Sequence, residues 1–211
     1  MTDQSDVQDT YDRVADEYVR HIFHELDGKP FDRELLDRFA DLVRGKGPVY
    51  DLGCGPGHVA RYLHERGVSV TGVDLSGGMV RRARELNPGI EFRQGDMRSL
   101  DLPDEGLAAV VAFYSIVHFA LDSLNAVFGE LHRVLAPGAP LLLAFHIGDE
   151  SIHLEEWWGH QVTVDFVFFD PGSVKSKLQE SGFRIVEALE RDPYPEVEHQ
   201  SPRAYILAEA I

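Results

Sequence analysis

Apolar residues set two periods along this chain. Val7, Tyr11, Val14, Ala15 and Tyr18 recur at helical spacing, and Phe31, Leu35, Leu36, Phe39 and Val43 repeat it, so two amphipathic helices lead the sequence. Gly45, Gly47 and Pro48 close the second. From Val49 the pattern alternates. Strand 49–52 leads to a helix near 58–65, ended by Gly67, and strand 68–73 to a helix capped by Ser76 that runs to about Leu86. A short strand at 90–93 follows. The strongly apolar run 107–114 reads as a central strand covered on both faces. Asp122 is placed to cap a helix with Leu124, Val127, Phe128, Leu131 and Leu135 on one stripe, and a fifth strand spans 141–146. Asp170-Pro171 opens another helix, with the proline pre-set for its first turn. Late strands lie at about 183–190 and 204–208.

Alternating strand and helix implies a mostly parallel sheet with helices on both faces. The last two strands are joined by loop 191–202 without a helix, so they pair antiparallel at the sheet edge. The expected fold is therefore α/β: three layers, doubly wound, seven strands, with an antiparallel edge strand and an N-terminal helical cap. Expected boundaries within one domain of residues 1–211 are 1–44 for the cap, 45–147 for a cofactor-binding core, and 148–211 for a substrate-side insert and sheet edge.

The chemistry concentrates at the first strand-to-helix turn, Asp51-Leu52-Gly53-Cys54-Gly55-Pro56-Gly57. Glycines at alternate positions leave bare backbone for a ligand to lie against. Asp74 ends the next strand, where a carboxylate accepts hydrogen bonds from ribose hydroxyls. The pair points to a nucleoside-containing cofactor.

On these residues the sequence resembles the class I S-adenosylmethionine-dependent methyltransferases, and in particular their small-molecule branch. Further landmarks follow in order: Val73-Asp74-Leu75-Ser76, Gly95-Asp96-Met97, Phe113-Tyr114-Ser115, and Leu135-Ala136-Pro137-Gly138. The resemblance implies that Gly53 and Gly55 lie against the cofactor, with Asp51 near its ammonium and Asp74 on the ribose. It also implies Asp96 at the adenine amino group, Met97 and Leu75 beside the ring, and Phe113 near the methionine end. Tyr11-Asp12-x-x-Ala15-x-x-Tyr18 looks like that branch's leading helix, whose tyrosines reach the methionine end, so Tyr11 and Tyr18 join the expected contacts. The implied activity is methyl transfer from S-adenosyl-L-methionine to a small-molecule acceptor, on O, N or C, with S-adenosyl-L-homocysteine as product. Two other readings stay open: an NAD-dependent oxidoreductase, and a non-catalytic cofactor-binding protein of the same fold. The glycine spacing tells against the first, because His58 stands where the dinucleotide fingerprint has its third glycine.

His118 and His146 follow the fourth and fifth strands, at the carboxyl edge of the expected sheet, and are the candidate catalytic bases. His21, His24, His58, His64, His132 and His199 read as helix-surface or loop positions. His146, Asp149 and His153 lack a helical ligand spacing, so no metal is expected. Segment 147–169, with Trp157, Trp158, Phe166, Phe168 and Phe169, is where acceptor choice is expected to lie. In it, Val162, Val164, Phe166 and Phe168 alternate as one face of an extra strand, and the two tryptophans suit a lid.

Composition narrows the partners. A formal net charge of −16 repels phosphate backbones and anionic lipid, so neither nucleic acid nor membrane is an expected partner. No apolar run reaches the roughly 20 residues that cross a bilayer. The start of the chain is polar and acidic, unlike a signal peptide, and Cys54 is the only cysteine, which suits a reducing cytoplasm. Oligomeric state is not encoded in any pattern found.

Overall fold

The computed structural model describes residues 2–211. Helix α1 (Gln4–Ile22) and a 3-10 turn (Glu25–Gly28) lead into α2 (Pro30–Val43). Then come β1 (Val49–Leu52), α3 (His58–His64), β2 (Val70–Asp74), α4 (Gly77–Leu86), β3 (Glu91–Gln94) and β4 (Ala109–Phe113). After two 3-10 turns follow α5 (Leu124–Val134), β5 (Pro140–His146), β6 (Ser151–Trp157), β7 (His160–Val167), α6 (Pro171–Glu180), β8 (Phe183–Arg191) and β9 (Arg203–Ala210).

Seven strands form one sheet in the order β3-β2-β1-β4-β5-β9-β8. β1 to β5 pair parallel, and β9 runs antiparallel to both β5 and β8. The sheet is covered on both faces, and β4 shows why its five residues are all apolar. Ala109, Val111 and Phe113 pack toward α2, α3 and α4, against residues such as Phe39, Leu63 and Val80. Val110 and Ala112 face the α5–α6 side, against Val127, Leu131 and Leu178. A strand with period-2 side chains between two helical layers has no polar face to offer.

Strand order reverses between β1 and β4, which opens a crevice at their carboxyl ends. The expected caps form at two helices: Ser76 accepts from the Met79 amide, and Asp170 accepts from the Ser173 amide. Asp122 does not cap α5. It lies inside a 3-10 turn, Leu121–Ser123, that extends the entry to the helix, and no side chain caps it.

Segment 147–169 folds as an antiparallel hairpin, β6–β7, separate from the main sheet. The alternation of Val162, Val164, Phe166 and Phe168 marks its second strand, and the first was not among the expected elements. Val162 and Val164 pack on Val7 and Val14 of α1, not on the sheet, so the hairpin holds the leading helix down. Each such buried side chain contributes about 1.5–3 kcal/mol before the entropy of ordering is charged against it. Thr10 bonds reciprocally to the backbone of Thr163, and Asp12 accepts from Ser76 Oγ and the Gly78 amide. α1 is thus tied to the hairpin on one side and to the start of α4 on the other, across the mouth of the crevice.

Candidate functional site

The crevice is a pocket lined from six directions. The glycine turn supplies Gly53 and Gly55, the tip of β2 supplies Asp74 and Leu75, and the loop after β3 supplies Asp96 and Met97. The end of β4 supplies Phe113, Tyr114, Ser115 and His118, α1 supplies Gln4, Val7, Gln8, Tyr11 and Tyr18, and the turn after α1 supplies Glu25. Most residues expected at a cofactor site therefore converge: Tyr11, Tyr18, Gly53, Gly55, Asp74, Leu75, Asp96, Met97, Phe113 and His118 all line one space. Asp51 does not reach the wall. It is buried beneath the turn, its Oδ2 has no hydrogen-bond partner, and burial lifts its pKa to about 7. Met79, on the first turn of α4, is packed wholly in the interior.

Asp74 is oriented by its own surroundings. The Gly55 amide donates to Oδ2 and the Ser76 amide to Oδ1, each at 2.8 Å. Burial pushes its pKa up to about 6, although both amide bonds favour the charged form. A carboxylate gripped from one side by backbone, and half-open to the pocket, is a prepared acceptor for paired hydroxyls. The Asp74→Ala protein is expected to bind S-adenosylhomocysteine about 1–3 kcal/mol more weakly by calorimetry, the scale of a lost charged hydrogen-bond set. An unchanged affinity would show that the ribose lies elsewhere.

Gly53 sits at φ +72°, and a Cβ there would lie 2.3 Å from Ser115 Cβ. The turn therefore approaches the end of β4 more closely than any side chain allows. Asp96 also faces the pocket, with its carboxylate forked onto the Arg98 guanidinium. Burial opposes its ionisation, but the Arg98 hydrogen bonds hold its pKa below the usual range.

The two candidate bases part company. His118 is buried in the pocket wall between three elements. Its Nδ1 lies 2.9 Å from the Asp165 carbonyl of β7, and its Nε2 lies 2.8 Å from the Tyr11 hydroxyl of α1. A carbonyl only accepts, so Nδ1 carries the hydrogen and Nε2 accepts from Tyr11. Burial pulls its pKa down to about 4, against the pull of the Asp165 carbonyl, so it is neutral at pH 7. His146 does not line the pocket. Its ring stacks on Phe168 with centroids 5.0 Å apart, and Nδ1 pairs with Ser201 Oγ at 2.8 Å. Burial and nearby Arg203 bring its pKa down to about 3.

Trp157 and Trp158 stack on each other at 4.6 Å, and Trp157 meets Tyr11 and Tyr18 edge-on at 5.7 and 5.9 Å. They buttress the tyrosines from behind rather than line the pocket. His58, which the sequence placed on a helix surface, is a second correction: it is 9% exposed and faces the pocket beside Glu25. Its position one residue past the glycine turn was the available signal. Among the described residues no cluster of three or more His, Cys, Asp or Glu is arranged to hold a metal ion.

This geometry matches known proteins. A family model described as "Methyltransferase domain" matches residues 49–138. The magnesium protoporphyrin IX methyltransferase of Synechocystis PCC 6803, solved with bound S-adenosylmethionine, superimposes with a TM-score of 0.73 over 100% of this chain and 98% of that one, at 18% identity, which shows a shared fold. A phosphatidylethanolamine N-methyltransferase of Cereibacter sphaeroides is 32% identical over 147 residues, 66% of this chain and 71% of that protein. The chain belongs to the class I S-adenosylmethionine-dependent methyltransferases. The family includes a malonyl-[acyl-carrier protein] O-methyltransferase of Pectobacterium atrosepticum, 32% identical over 135 residues, 58% of this chain and 53% of that one. The chain spans about half the length of the relatives of that kind that it matches.

Membership explains the bare turn and the acid at the tip of β2 together, as a seat for an adenosyl group. The residues present fit it. Apolar Val7, Leu75, Met97 and Phe119 share the lining with polar Tyr18, Glu25 and His58, which suits a ligand that joins a flat purine to a charged amino acid. Ser115 Oγ, buried on the wall, has no partner within the protein.

Proposed function

We propose that this chain transfers the methyl group of S-adenosyl-L-methionine to a small-molecule acceptor bound beneath α1 and the β6–β7 hairpin. The observation that carries the reading is Asp74, fixed by two backbone amides beside a turn too tight for side chains, under a helix that closes the crevice. The reading takes residues 1–44 as a cap, 45–147 as the cofactor core and 148–211 as the acceptor side. A charge of −16 supports a small acceptor over nucleic acid, and one buried, unpaired cysteine supports work in a reducing cytoplasm. Among the described residues no helix is long and apolar enough to cross a membrane.

S-adenosylmethionine, when bound, supplies a methyl group on a sulfonium, open to in-line displacement. The chain's part is to place the acceptor and handle its proton. Aromatic Tyr11, Tyr18, Phe113 and Tyr114 line the space in which the acceptor would sit. His118 has no free lone pair, since Nε2 is taken by Tyr11. It therefore receives the acceptor's proton through the Tyr11 hydroxyl: the phenol oxygen takes the proton as its own passes to Nε2. A base so weakened by burial makes no free oxyanion, and takes the proton only as the new bond forms.

Calorimetry with S-adenosylhomocysteine and with NAD tests the cofactor, and binding of NAD alone would end the methyltransferase reading. Release of S-adenosylhomocysteine, measured over a panel of amines, carboxylic acids and phenols, then identifies the acceptor. With that acceptor, Tyr11→Phe and His118→Gln are each expected to cut kcat about 100-fold, and the double variant no further, with S-adenosylhomocysteine affinity held within about threefold. Additive losses would show two separate roles and no relay. His146→Ala is expected to lower thermal stability and leave kcat near wild type.

A further inference from the structure

The wall of the pocket is one-sided in charge. Glu25, Asp74 and Asp96 line it, and among the described lining residues there is no lysine or arginine. Two cations beside the wall are already engaged. Lys29 bonds to Glu25 at 2.7 Å and pairs with Glu198 at 3.3 Å, and Arg98 forks onto Asp96 with Nε 3.0 Å from both oxygens. His58 is likewise taken up by Glu25, whose Oε1 lies 3.0 Å from its Nε2. A carboxylate or phosphate acceptor would shed its water here beside three acids and find no free counter-charge.

Hydrogen bonding at Tyr11 has a direction too. With Nδ1 of His118 committed to the Asp165 carbonyl, the Tyr11 hydroxyl gives its hydrogen to Nε2, 2.8 Å away. The Tyr11 oxygen is left with lone pairs only, so the acceptor molecule must bring the hydrogen. An amine or a hydroxyl does so, and a carboxylate does not. A phenol attacks well only as its proton leaves, and its pKa of about 10 stands far above that of His118, which burial brings down to about 4. A nitrogen with a free lone pair needs no proton removed first. Alkylamines lack one at pH 7, being ammonium ions with a pKa of about 10, and the acids of the wall favour that charge. An arylamine is neutral at pH 7 and turns strongly acidic only once the methyl group has joined it, which suits a weak base. Aromatic Tyr11, Phe113, Tyr114 and Phe119 line the same space, fitting a flat ring.

We propose that the acceptor is a neutral aromatic amine, which sets an N–H on the Tyr11 oxygen and takes the methyl group on nitrogen. The proposal rests on the methyltransferase reading of the pocket and narrows it to one acceptor class. The nitrogen lone pair forms the bond to the methyl carbon as the carbon–sulfur bond breaks and its electron pair returns to sulfur. The N–H proton passes to the Tyr11 oxygen as the phenol's own proton passes to His118 Nε2, and the imidazolium then releases it to water.

Probes that share one ring test it: m-toluidine, m-cresol, m-toluate and 3-methylbenzylamine. Each is titrated against the full chain saturated with S-adenosylhomocysteine, and each is assayed with S-adenosylmethionine for S-adenosylhomocysteine release, with the methylated product identified by mass. Toluidine is expected to bind at least about 10-fold more tightly than toluate, the effect of leaving an anion without a partner. It is expected to turn over at least about 10-fold faster than cresol or the benzylamine at pH 7. Its rate should level off by about pH 6, once the arylamine has lost its proton, whereas a phenol's would climb towards about pH 10. Toluate binding as tightly as toluidine, faster turnover of cresol or benzylamine, or toluidine that fails to bind or binds without being methylated would each overturn the proposal. A protein that does not bind S-adenosylhomocysteine at all would instead count against the cofactor reading.

Discussion

Gly53→Ala is expected to weaken S-adenosylhomocysteine binding at least about 100-fold while the protein still folds. Two costs combine. The backbone at Gly53 sits at φ +72°, where an L side chain pays about 1–2 kcal/mol. The added methyl would also lie 2.3 Å from Ser115 Cβ, an overlap that costs about 1–3 kcal/mol more to relieve. Ser115 stands on backbone at the end of β4, so the neighbour cannot swing aside as the tip of a long side chain would. The turn moves instead, away from the geometry in which the Gly55 amide holds Asp74. Binding then draws on a minor population, and affinity falls by that fraction. Gly89→Ala is the control: its φ is +100° but a Cβ there meets nothing within 4 Å, so it pays backbone strain without moving the turn. Wild-type affinity in Gly53→Ala, measured by calorimetry, would show that close approach of the turn to β4 is not what shapes the seat.

The second large effect is on stability. Asp32→Ala is expected to destabilise the fold by about 3–5 kcal/mol, the cost of stripping one partner from a buried ionic cluster. That corresponds to a melting temperature lower by roughly 6–20 °C at about 2–4 °C per kcal/mol. Asp32 is fully buried at the start of α2. It accepts from the Arg191 guanidinium at 2.7 Å, the Tyr205 hydroxyl at 3.0 Å and the Tyr114 hydroxyl at 3.2 Å. Arg191 in turn engages Glu198, which also pairs with Lys29 at 3.3 Å and Arg203 at 3.4 Å. Two acids and three bases thus join α2, the ends of β8 and β9 and the loop between them behind Tyr114, which lines the pocket at φ +54°. Removing Asp32 leaves Arg191 under-compensated and two tyrosine hydroxyls short of an acceptor. Asp32→Asn, which keeps an acceptor and loses the charge, is expected to fall between wild type and Asp32→Ala in a thermal melt. A loss under 2 °C for Asp32→Ala would mean the cluster is solvated enough to be dispensable.

The sequence by itself settled the features whose physics is local. Period-2 and period-3.6 runs gave the main-sheet strands and the helices, because each element carries its own apolar stripe. The glycine turn and Asp74 were legible because bare backbone and a strand-tip acid sit within a single strand–turn–helix–strand stretch. Strand β6 was not legible: only Ile152 and Leu154 alternate with polar neighbours before Glu155-Glu156 breaks the pattern, and its pairing with β7 defines it.

Tertiary structure alone decided which polar residues meet. His118 and His146 look equivalent on paper, each just past a strand. The fold gives one to the pocket and the other to a stack on Phe168 behind it. Tyr11 and His118 are 107 residues apart and bond only because the hairpin presses α1 across the crevice. His58 was misread for the same reason, since a histidine opening a short helix looks solvent-facing until Glu25 is brought over it. Hydrophobic stripes are written in the order of the residues themselves. Encounters between distant side chains depend on how whole elements dock, which nearest-neighbour pattern does not contain.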